Sequence, residues 1–90
     1  MAVQVSVTLP GALVALFPGA SPRVEVAAAT VADVMAALEA CWPGMRDRLC
    51  DSRPAIRRHI NVFVDGERGT LDTRLRDGAD VVILTAISGG

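Results

Sequence analysis

The feature that most constrains this chain is a single helical segment placed between segments whose apolar residues alternate with polar ones. Alternation runs through residues 2–9 and returns in residues 60–64, while residues 80–87 form an almost continuous apolar run. Alternation indicates a strand with one buried face, and a continuous run indicates a strand covered on both faces. Strands at both ends around one helix predict an α+β domain, with a mixed sheet and the helix packed on one face. The first and last strands are then expected to be neighbours at the centre of the sheet.

The helix is predicted from its start signal, its apolar stripe and its stop signal. Thr30 is a typical N-cap, and Asp33 completes a capping box with Asp in place of the usual Glu. The Trp-Pro-Gly sequence at residues 42–44 ends the helix, because proline disfavours helical geometry in the residue before it. One further turn is predicted over residues 45–49. The apolar stripe, which predicts that each member fills the core, consists of Val31, Val34, Met35, Leu38 and Cys41.

Shorter patterns complete the predicted sheet. Residues 23–27 alternate, so we expect a second strand that pairs with the first as a hairpin. After the strand at residues 60–64, Asp65-Gly66 is a strong tight-turn signal, and residues 67–70 are predicted to return as a short strand. An irregular turn over the core edge is indicated between the first two strands by Leu13, Leu16 and Phe17.

The bulk composition excludes several functional classes. The chain has 90 residues, of which 51% are hydrophobic and 21% charged, as expected for one folded domain. Its formal net charge of −1 leaves no basic excess to neutralise phosphates, so we expect no nucleic-acid partner. No apolar run approaches the ~18 residues of a membrane span. Because the strand pattern already begins at Val3, we expect no signal peptide before the first strand. A cytoplasmic location is therefore expected.

The sequence carries no recognisable constellation of catalytic or metal-binding residues. Its single histidine, His59, follows Arg57 and Arg58 and is interpreted as a surface residue. The acidic residues are scattered singly, and no Cys/His cluster or glycine-rich phosphate loop is present. The role of Cys50, if it has one, stays open. We expect a chain that is not itself an enzyme and that binds no metal ion and no cofactor of its own.

The end of the sequence is the remaining candidate site. Residues 1–87 are predicted to form the domain, and Ser88, Gly89 and Gly90 to form a flexible tail. Three extended residues reach ~10 Å beyond a fold, and glycine has no Cβ, so such a tail can enter a narrow channel. It suits the presentation of a carboxylate inside another protein's active site. Two glycines at the end are also compatible with an ordinary frayed terminus.

Motifs spread along the chain, most specific from residue 60 onward, resemble the MoaD/ThiS family of small sulfur carriers, and within it the CysO type of actinobacteria. Thr85 departs from the family, whose members often carry proline there, as do Ala79 and Asp80, where members often carry two acidic residues. The matching motifs are the helix followed by Trp42-Pro43-Gly44, Arg46–Leu49, His59–Glu67, Leu71-Asp72-Thr73, Leu75, Asp77-Gly78, Val81–Leu84 and Gly89-Gly90.

This resemblance implies a ubiquitin-like β-grasp fold, with a mixed sheet of four to five strands and one main helix. It also implies a carrier function, in which an adenylating, ubiquitin-activating-like enzyme uses ATP to activate the carboxyl group of Gly90. A sulfur donor then forms a thiocarboxylate, and a sulfur-accepting synthase receives the sulfur, with cysteine as the favoured product. The alternatives are a small subunit of molybdopterin synthase, a sulfur donor for thiazole or a secondary metabolite, a ubiquitin-like protein modifier, and an interaction module whose glycines are accidental.

The sheet face away from the helix is the predicted partner interface. Phe63 lies out of phase with the inward residues of its strand, and Val82 and Leu84 share the outward parity of theirs. Together these three residues would form an apolar patch of the kind that usually marks a partner site. The resemblance implies that Leu84 contacts the partner. The alternative is that residues 71–75 cover Phe63 and Leu84.

Overall fold

The computed structural model describes residues 2–50 and 55–85, and the predicted strands and main helix are all present within these ranges. The segment predicted as an irregular turn forms a short helix, whose first turn is closed by the amides of Leu13 and Val14 donating to the carbonyl of Pro10. In chain order the elements are β1 (Val3–Thr8), α1 (Gly11–Leu16), β2 (Arg23–Ala28), α2 (Val31–Cys41), α3 (Met45–Leu49), β3 (Ile60–Val64), β4 (Glu67–Arg68) and β5 (Asp80–Thr85).

The five strands form one mixed sheet in the order β2-β1-β5-β3-β4. β1 pairs antiparallel with β2 and parallel with β5, and β3 pairs antiparallel with both β4 and β5. The predicted hairpin of the first two strands and the central position of the last strand are therefore confirmed. Residues 86 and 87, which were predicted to belong to the last strand, lie outside the described residues.

The core lies between the sheet and α2. Alternate residues of the three middle strands point towards the helix, so that each strand contributes every second side chain to the core. No polar or charged residue is buried in the described part of the chain. The fully buried residues that form this layer are Val5, Val7, Val62, Val81 and Ile83 from the sheet and Val31, Val34, Met35 and Leu38 from α2.

The capping box predicted at the start of α2 is present. The amide of Asp33 donates to Thr30 Oγ1 at 3.3 Å, and the amide of Thr30 donates to Asp33 Oδ2 at 3.2 Å. Asp33 Oδ2 also accepts from the amide of Ala29 at 3.0 Å. These bonds satisfy backbone donors that have no partner inside the helix, which fixes where α2 begins.

The prediction that Cys41 fills the core is wrong, because its side chain is exposed. Cys41 is the last residue of α2, three positions after the buried Leu38. A helix turns by about 100° per residue, so the next position directly over Leu38 is the fourth one along. That position is Trp42, which packs against the core, and Met45 from α3 is fully buried beyond it.

Glu39 joins the end of α2 to the start of α3. One of its carboxylate oxygens accepts hydrogen bonds from the amides of Gly44 and Arg46 at 3.1 and 3.0 Å, and the other accepts from Gly44 at 3.0 Å. These bonds, first to Gly44 and then to Arg46, lower the pKa of Glu39 below its ordinary value of 4.5. The carboxylate therefore caps a helix that follows it in sequence.

The tight turn predicted between β3 and β4 is also confirmed. Asp65 has a φ of 51° and Gly66 a φ of 88°. Both central residues therefore lie in the left-handed region, as a two-residue hairpin turn of type I′ requires. The turn is tied to β5, because the amide of Asp65 donates to the carbonyl of Asp80 and the amide of Asp80 donates to Asp65 Oδ1. The position of the β3–β4 hairpin against the central strand is therefore fixed.

Candidate functional site

The candidate site is the C-terminal end of β5 and the outer face of the sheet beside it. β1 pairs with β5 over residues 80–82, and β3 pairs with it over residues 81–85. The strand is thus held between two neighbours, and its last described residue, Thr85, lies opposite Ile60. Ser88, Gly89 and Gly90, the predicted tail, lie outside the described residues.

The three predicted interface residues are neighbours on the outer face. Phe63 pairs directly with Val82, and Leu84 pairs with Asn61 in the next outward position along the same two strands. Phe63 and Val82 are half-buried, and Leu84 is 45% exposed. None of the three belongs to the buried core. We call Phe63, Val82 and Leu84 the outer patch, and its role as a partner interface stays a prediction.

The segment that was expected as an alternative cover for this patch lies on the other side of the sheet. Leu75 is buried in the core, and Leu71 packs against the core. Backbone hydrogen bonds join the segment to the start of α2: the amides of Val31 and Ala32 donate to the carbonyls of Thr73 and Leu71. The outer patch is therefore not covered by residues 71–75.

Arginine side chains border the outer patch at both edges of the sheet. One row of paired residues crosses all five strands, and its members are Arg23, Thr8, Val82, Phe63 and Arg68. At one end Arg23 Nη2 lies 3.8 Å from Asp80 Oδ1, an ion pair rather than a hydrogen bond. The Arg23 side chain is largely exposed and that of Asp80 is half-exposed. At the other end, Arg68 donates to Asn61 Oδ1. The patch therefore presents apolar carbon flanked by two guanidinium groups.

This arginine border was missed from the sequence. Positions 23 and 68 have no local relation to each other, and only the pairing of distant strands puts them in one row. The outward parity of Arg23 within its own strand was visible in the alternation of residues 23–27. That parity was the single signal available, and it does not identify the strands that lie between the two arginines.

The other titratable candidates do not assemble into a site. His59 is exposed, as predicted, while Cys41 is exposed and Cys50 buried on different elements. Across residues 2–50 and 55–85, no group of three or more His, Cys, Asp or Glu side chains is placed to hold a metal ion. Among those residues, no helix is long and apolar enough to cross a membrane.

Comparison with known proteins decides the family. The model of the ThiS family matches residues 7–90, which is nearly the whole chain and includes the glycine pair. The chain belongs to the ThiS family. The resemblance to MoaD/ThiS carriers that was noted in the sequence is therefore confirmed.

Individual ThiS-family relatives agree with this assignment. The sulfur carrier protein CysO of Mycobacterium tuberculosis (strain H37Rv) is 36% identical in an alignment of 78 residues that covers 80% of this chain and 84% of that protein. A chain in the crystal structure of the Amycolatopsis orientalis BexX/CysO complex is 32% identical with a TM-score of 0.85, over 96% of this chain and 99% of that one. These matches confirm the ubiquitin-like β-grasp fold and the likeness to the CysO type.

A further match belongs to a small archaeal modifier. SAMP1 from Haloferax volcanii is 28% identical with a TM-score of 0.78, over 97% of this chain and 99% of that one. The ThiS-family chain is therefore similar both to sulfur carriers and to a protein named as a modifier.

Proposed function

We propose that this ThiS-family chain is a sulfur carrier whose reactive group is the carboxylate of Gly90. The observation that supports this most strongly is the match to the family model through residue 90, together with 36% identity to the sulfur carrier CysO. A carrier needs a stable body, a tail that other enzymes can reach and a surface for those enzymes. It needs no catalytic group of its own.

Activation of the tail requires a partner because a carboxylate is a poor electrophile. In the proposed reaction, a carboxylate oxygen of Gly90 attacks the α-phosphorus of ATP, and pyrophosphate leaves. The product is an acyl adenylate, in which AMP is now a good leaving group. A sulfur nucleophile adds to the carboxyl carbon and expels AMP, and the tail is left as a thiocarboxylate. The adenylating enzyme supplies the ATP site, so this chain binds no nucleotide itself.

The body contributes position to this reaction. β5 is held by β1 and then β3, and Thr85 is separated from Gly90 by five peptide bonds. Those five residues span at most ~17 Å, so an enzyme that works on Gly90 must approach the end of β5 closely. We propose that the enzyme docks on the outer patch, where Leu84 is the most exposed member. Docking there converts loading of the tail into an effectively unimolecular step.

The favoured acceptor pathway is cysteine formation, because the named relatives are CysO proteins. In that pathway the thiocarboxylate sulfur displaces a leaving group from the side chain of an amino-acid acceptor held by a second enzyme, which gives a thioester. Hydrolysis of the acyl–sulfur bond then releases the thiol of cysteine and returns Gly90 to a carboxylate. Supply of sulfur to thiazole or a secondary metabolite, or a place as the small subunit of molybdopterin synthase, uses the same loaded tail. These alternatives differ in the acceptor, so the carrier's own chemistry does not separate them.

A protein modifier is the second candidate function, and the likeness to SAMP1 favours it. In this case the activated carboxyl group of Gly90 forms an isopeptide bond with a lysine of another protein. All nine basic residues of this chain other than His59 are arginine, so it cannot accept such a bond on a side chain of its own. Isopeptide conjugates that carry the chain in cells would favour this function.

The proposed function is tested by intact-mass analysis after incubation with ATP, sulfide and an adenylating enzyme from the same organism. We expect the mass to increase by the difference between one sulfur and one oxygen atom. The control is a variant that lacks Gly89 and Gly90, which must stay unchanged. An unchanged wild-type mass, with the enzyme shown to release pyrophosphate with another carrier, would contradict the proposal.

A further inference from the structure

A second apolar surface lies at the end of β5, on the face opposite the outer patch. A hollow of about 150 Å³ opens beside Thr85 between α1, α3 and the start of β3. Leu16, at the last position of α1, is 54% exposed and lines this hollow. Leu13 from the same helix is buried, so α1 is fastened to the core while Leu16 faces solvent. We call this feature the tail-base hollow.

The size and lining of the hollow fit one apolar side chain. Its floor is formed by aliphatic groups, which include Leu13, Leu49 and Ile60. An apolar cavity of about 150 Å³ is large enough to accept a benzene-sized group. Leu16 and these aliphatic groups together form one apolar surface with polar residues at its rim.

The rim of the hollow is basic. Arg48 and His59 line it, and both also line an adjoining depression with Arg57 and Asp47. Two guanidinium groups and one carboxylate thus line the depression. Among the described residues, no carboxylate, that of Asp47 included, lies within ion-pair distance of Arg48, Arg57 or His59. The Nε of Arg57 donates instead to the backbone carbonyl of Asp47 at 2.8 Å. A partner that fits this rim therefore carries acidic groups.

We infer that the tail-base hollow is a second contact for the enzyme that loads the tail, and that it accepts an apolar side chain next to carboxylates at the entrance of that enzyme's channel. This inference rests on the proposed function. Because at most ~17 Å separate Thr85 from Gly90, an enzyme that acts on Gly90 lies close to the end of β5, where it can contact both faces of the sheet. Leu84 contacts the rim on the outer face, and Leu16 with Arg48 contacts it on the helix face.

The apolar part of the inference is tested with Leu16→Gln. Glutamine has a side chain of similar length and is also readily accommodated in a helix. Ala15→Gln is the matched control, because Ala15 is exposed on the same helix and does not line the hollow. In ATP-dependent pyrophosphate release by the adenylating enzyme, we expect the KM for Leu16→Gln to rise about fivefold to tenfold with little change in kcat. The KM of Ala15→Gln should match that of the wild type. Equal KM values for the two variants would overturn the inference.

The charged part is tested with Arg48→Glu against Arg74→Glu, because Arg74 is exposed and lines neither the hollow nor the adjoining depression. We expect Arg48→Glu to raise the KM by at least the same factor and to weaken its dependence on NaCl, while Arg74→Glu keeps the wild-type salt dependence. A salt dependence that Arg48→Glu leaves unchanged would overturn the acidic partner. If the wild type sediments as a dimer and Leu16→Gln sediments as a monomer, the hollow binds a second copy of this chain, and the inference of an enzyme contact is overturned.

These outcomes separate the inference from the proposed function. If wild type acquires sulfur and both hollow variants behave as their controls do, the inference fails and the carrier function stands. If wild type is never loaded by a competent adenylating enzyme, both fail. Unfolding of each variant in urea, monitored alongside the wild type, shows that any change in KM arises in a folded protein.

Discussion

The inner and outer faces of β3 and β5 both carry apolar residues, and the two faces differ in what covers them. Val62, Val81 and Ile83 point inward and are fully buried under α2, whereas Phe63, Val82 and Leu84 alternate with them and point outward. The inner residues have their partners within this chain. The outer ones have arginines at their border and no cover from residues 71–75. The comparison teaches that the apolar content of a strand predicts burial on one of its faces only. Apolar residues that stay partly exposed on the other face need a separate explanation.

The largest expected effect is on the inner face. Ile83→Ala removes buried methyl groups from a packed layer and leaves a cavity, so we expect the free energy of unfolding to fall by about 2–4 kcal/mol. Leu84→Ala, one residue further along, should change it by no more than about 0.5–1 kcal/mol because nearly half of the Leu84 side chain is already exposed to water. Urea unfolding of both variants measures the difference. Similar losses for the two would break the comparison.

The next effect is on the outer face and concerns binding rather than stability. Leu84→Gln removes an exposed apolar contact, and we expect the KM for the carrier in the adenylation assay to rise about tenfold while the unfolding midpoint stays near that of the wild type. Glu25→Gln is a suitable control, since Glu25 is exposed on the edge strand β2 and lies outside the outer patch. Unaltered loading of Leu84→Gln would remove the outer patch from the proposed interface.

A smaller effect is expected where the helix begins. Thr30→Ala removes the side-chain acceptor for the amide of Asp33 and should lower the free energy of unfolding by about 1 kcal/mol. Thr30 is the N-cap of α2, which packs on the face of the sheet opposite the outer patch, so the KM of the folded variant should equal that of the wild type. A raised KM would show that stability and docking are not separable in this body. Thermal unfolding and the adenylation assay, run on the same preparation, give both values.

The smallest expected effect depends on pH. The pKa of Glu39 is lowered by its bonds to the amides of Gly44 and Arg46, so the ionised carboxylate stabilises the folded state fully above its ordinary value of 4.5. That contribution is lost as the pH falls through the lowered pKa. Glu39→Gln should therefore be less stable than the wild type at neutral pH, and the difference should shrink in acid. A difference that stays constant or grows below pH 4.5 would contradict this role.

Local signals in the sequence predicted most of the fold. The capping box at Thr30, the tight turn at Asp65-Gly66 and the alternation in β3 each depend on neighbouring residues, and each is present in the structure. The prediction that Cys41 is buried was wrong because it extended the apolar stripe three positions beyond Leu38, whereas the position over Leu38 is the fourth one along. The carboxylate of Glu39 was not predicted, since its partners follow a proline that interrupts the helix.

The candidate site was predicted only in part for the same reason. The outward parity of Phe63, Val82 and Leu84 follows from the alternation within each strand. That Phe63 and Val82 face each other, and that Arg23 and Arg68 flank them, depends on pairing between distant strands. The tail-base hollow depends on how α1, α3 and β3 meet, and no local pattern in the sequence specifies that meeting.

Fragmentation of the loaded protein in a mass spectrometer is the most direct test of the central claim. After incubation with ATP, sulfide and the adenylating enzyme, the account predicts that fragments containing the C-terminal residue carry one sulfur in place of one oxygen. Fragments that end before Gly90 should be unmodified. Sulfur found on Cys41 or Cys50, with an unmodified C-terminal fragment, would contradict the claim that the carboxyl group of Gly90 is the working group of this protein.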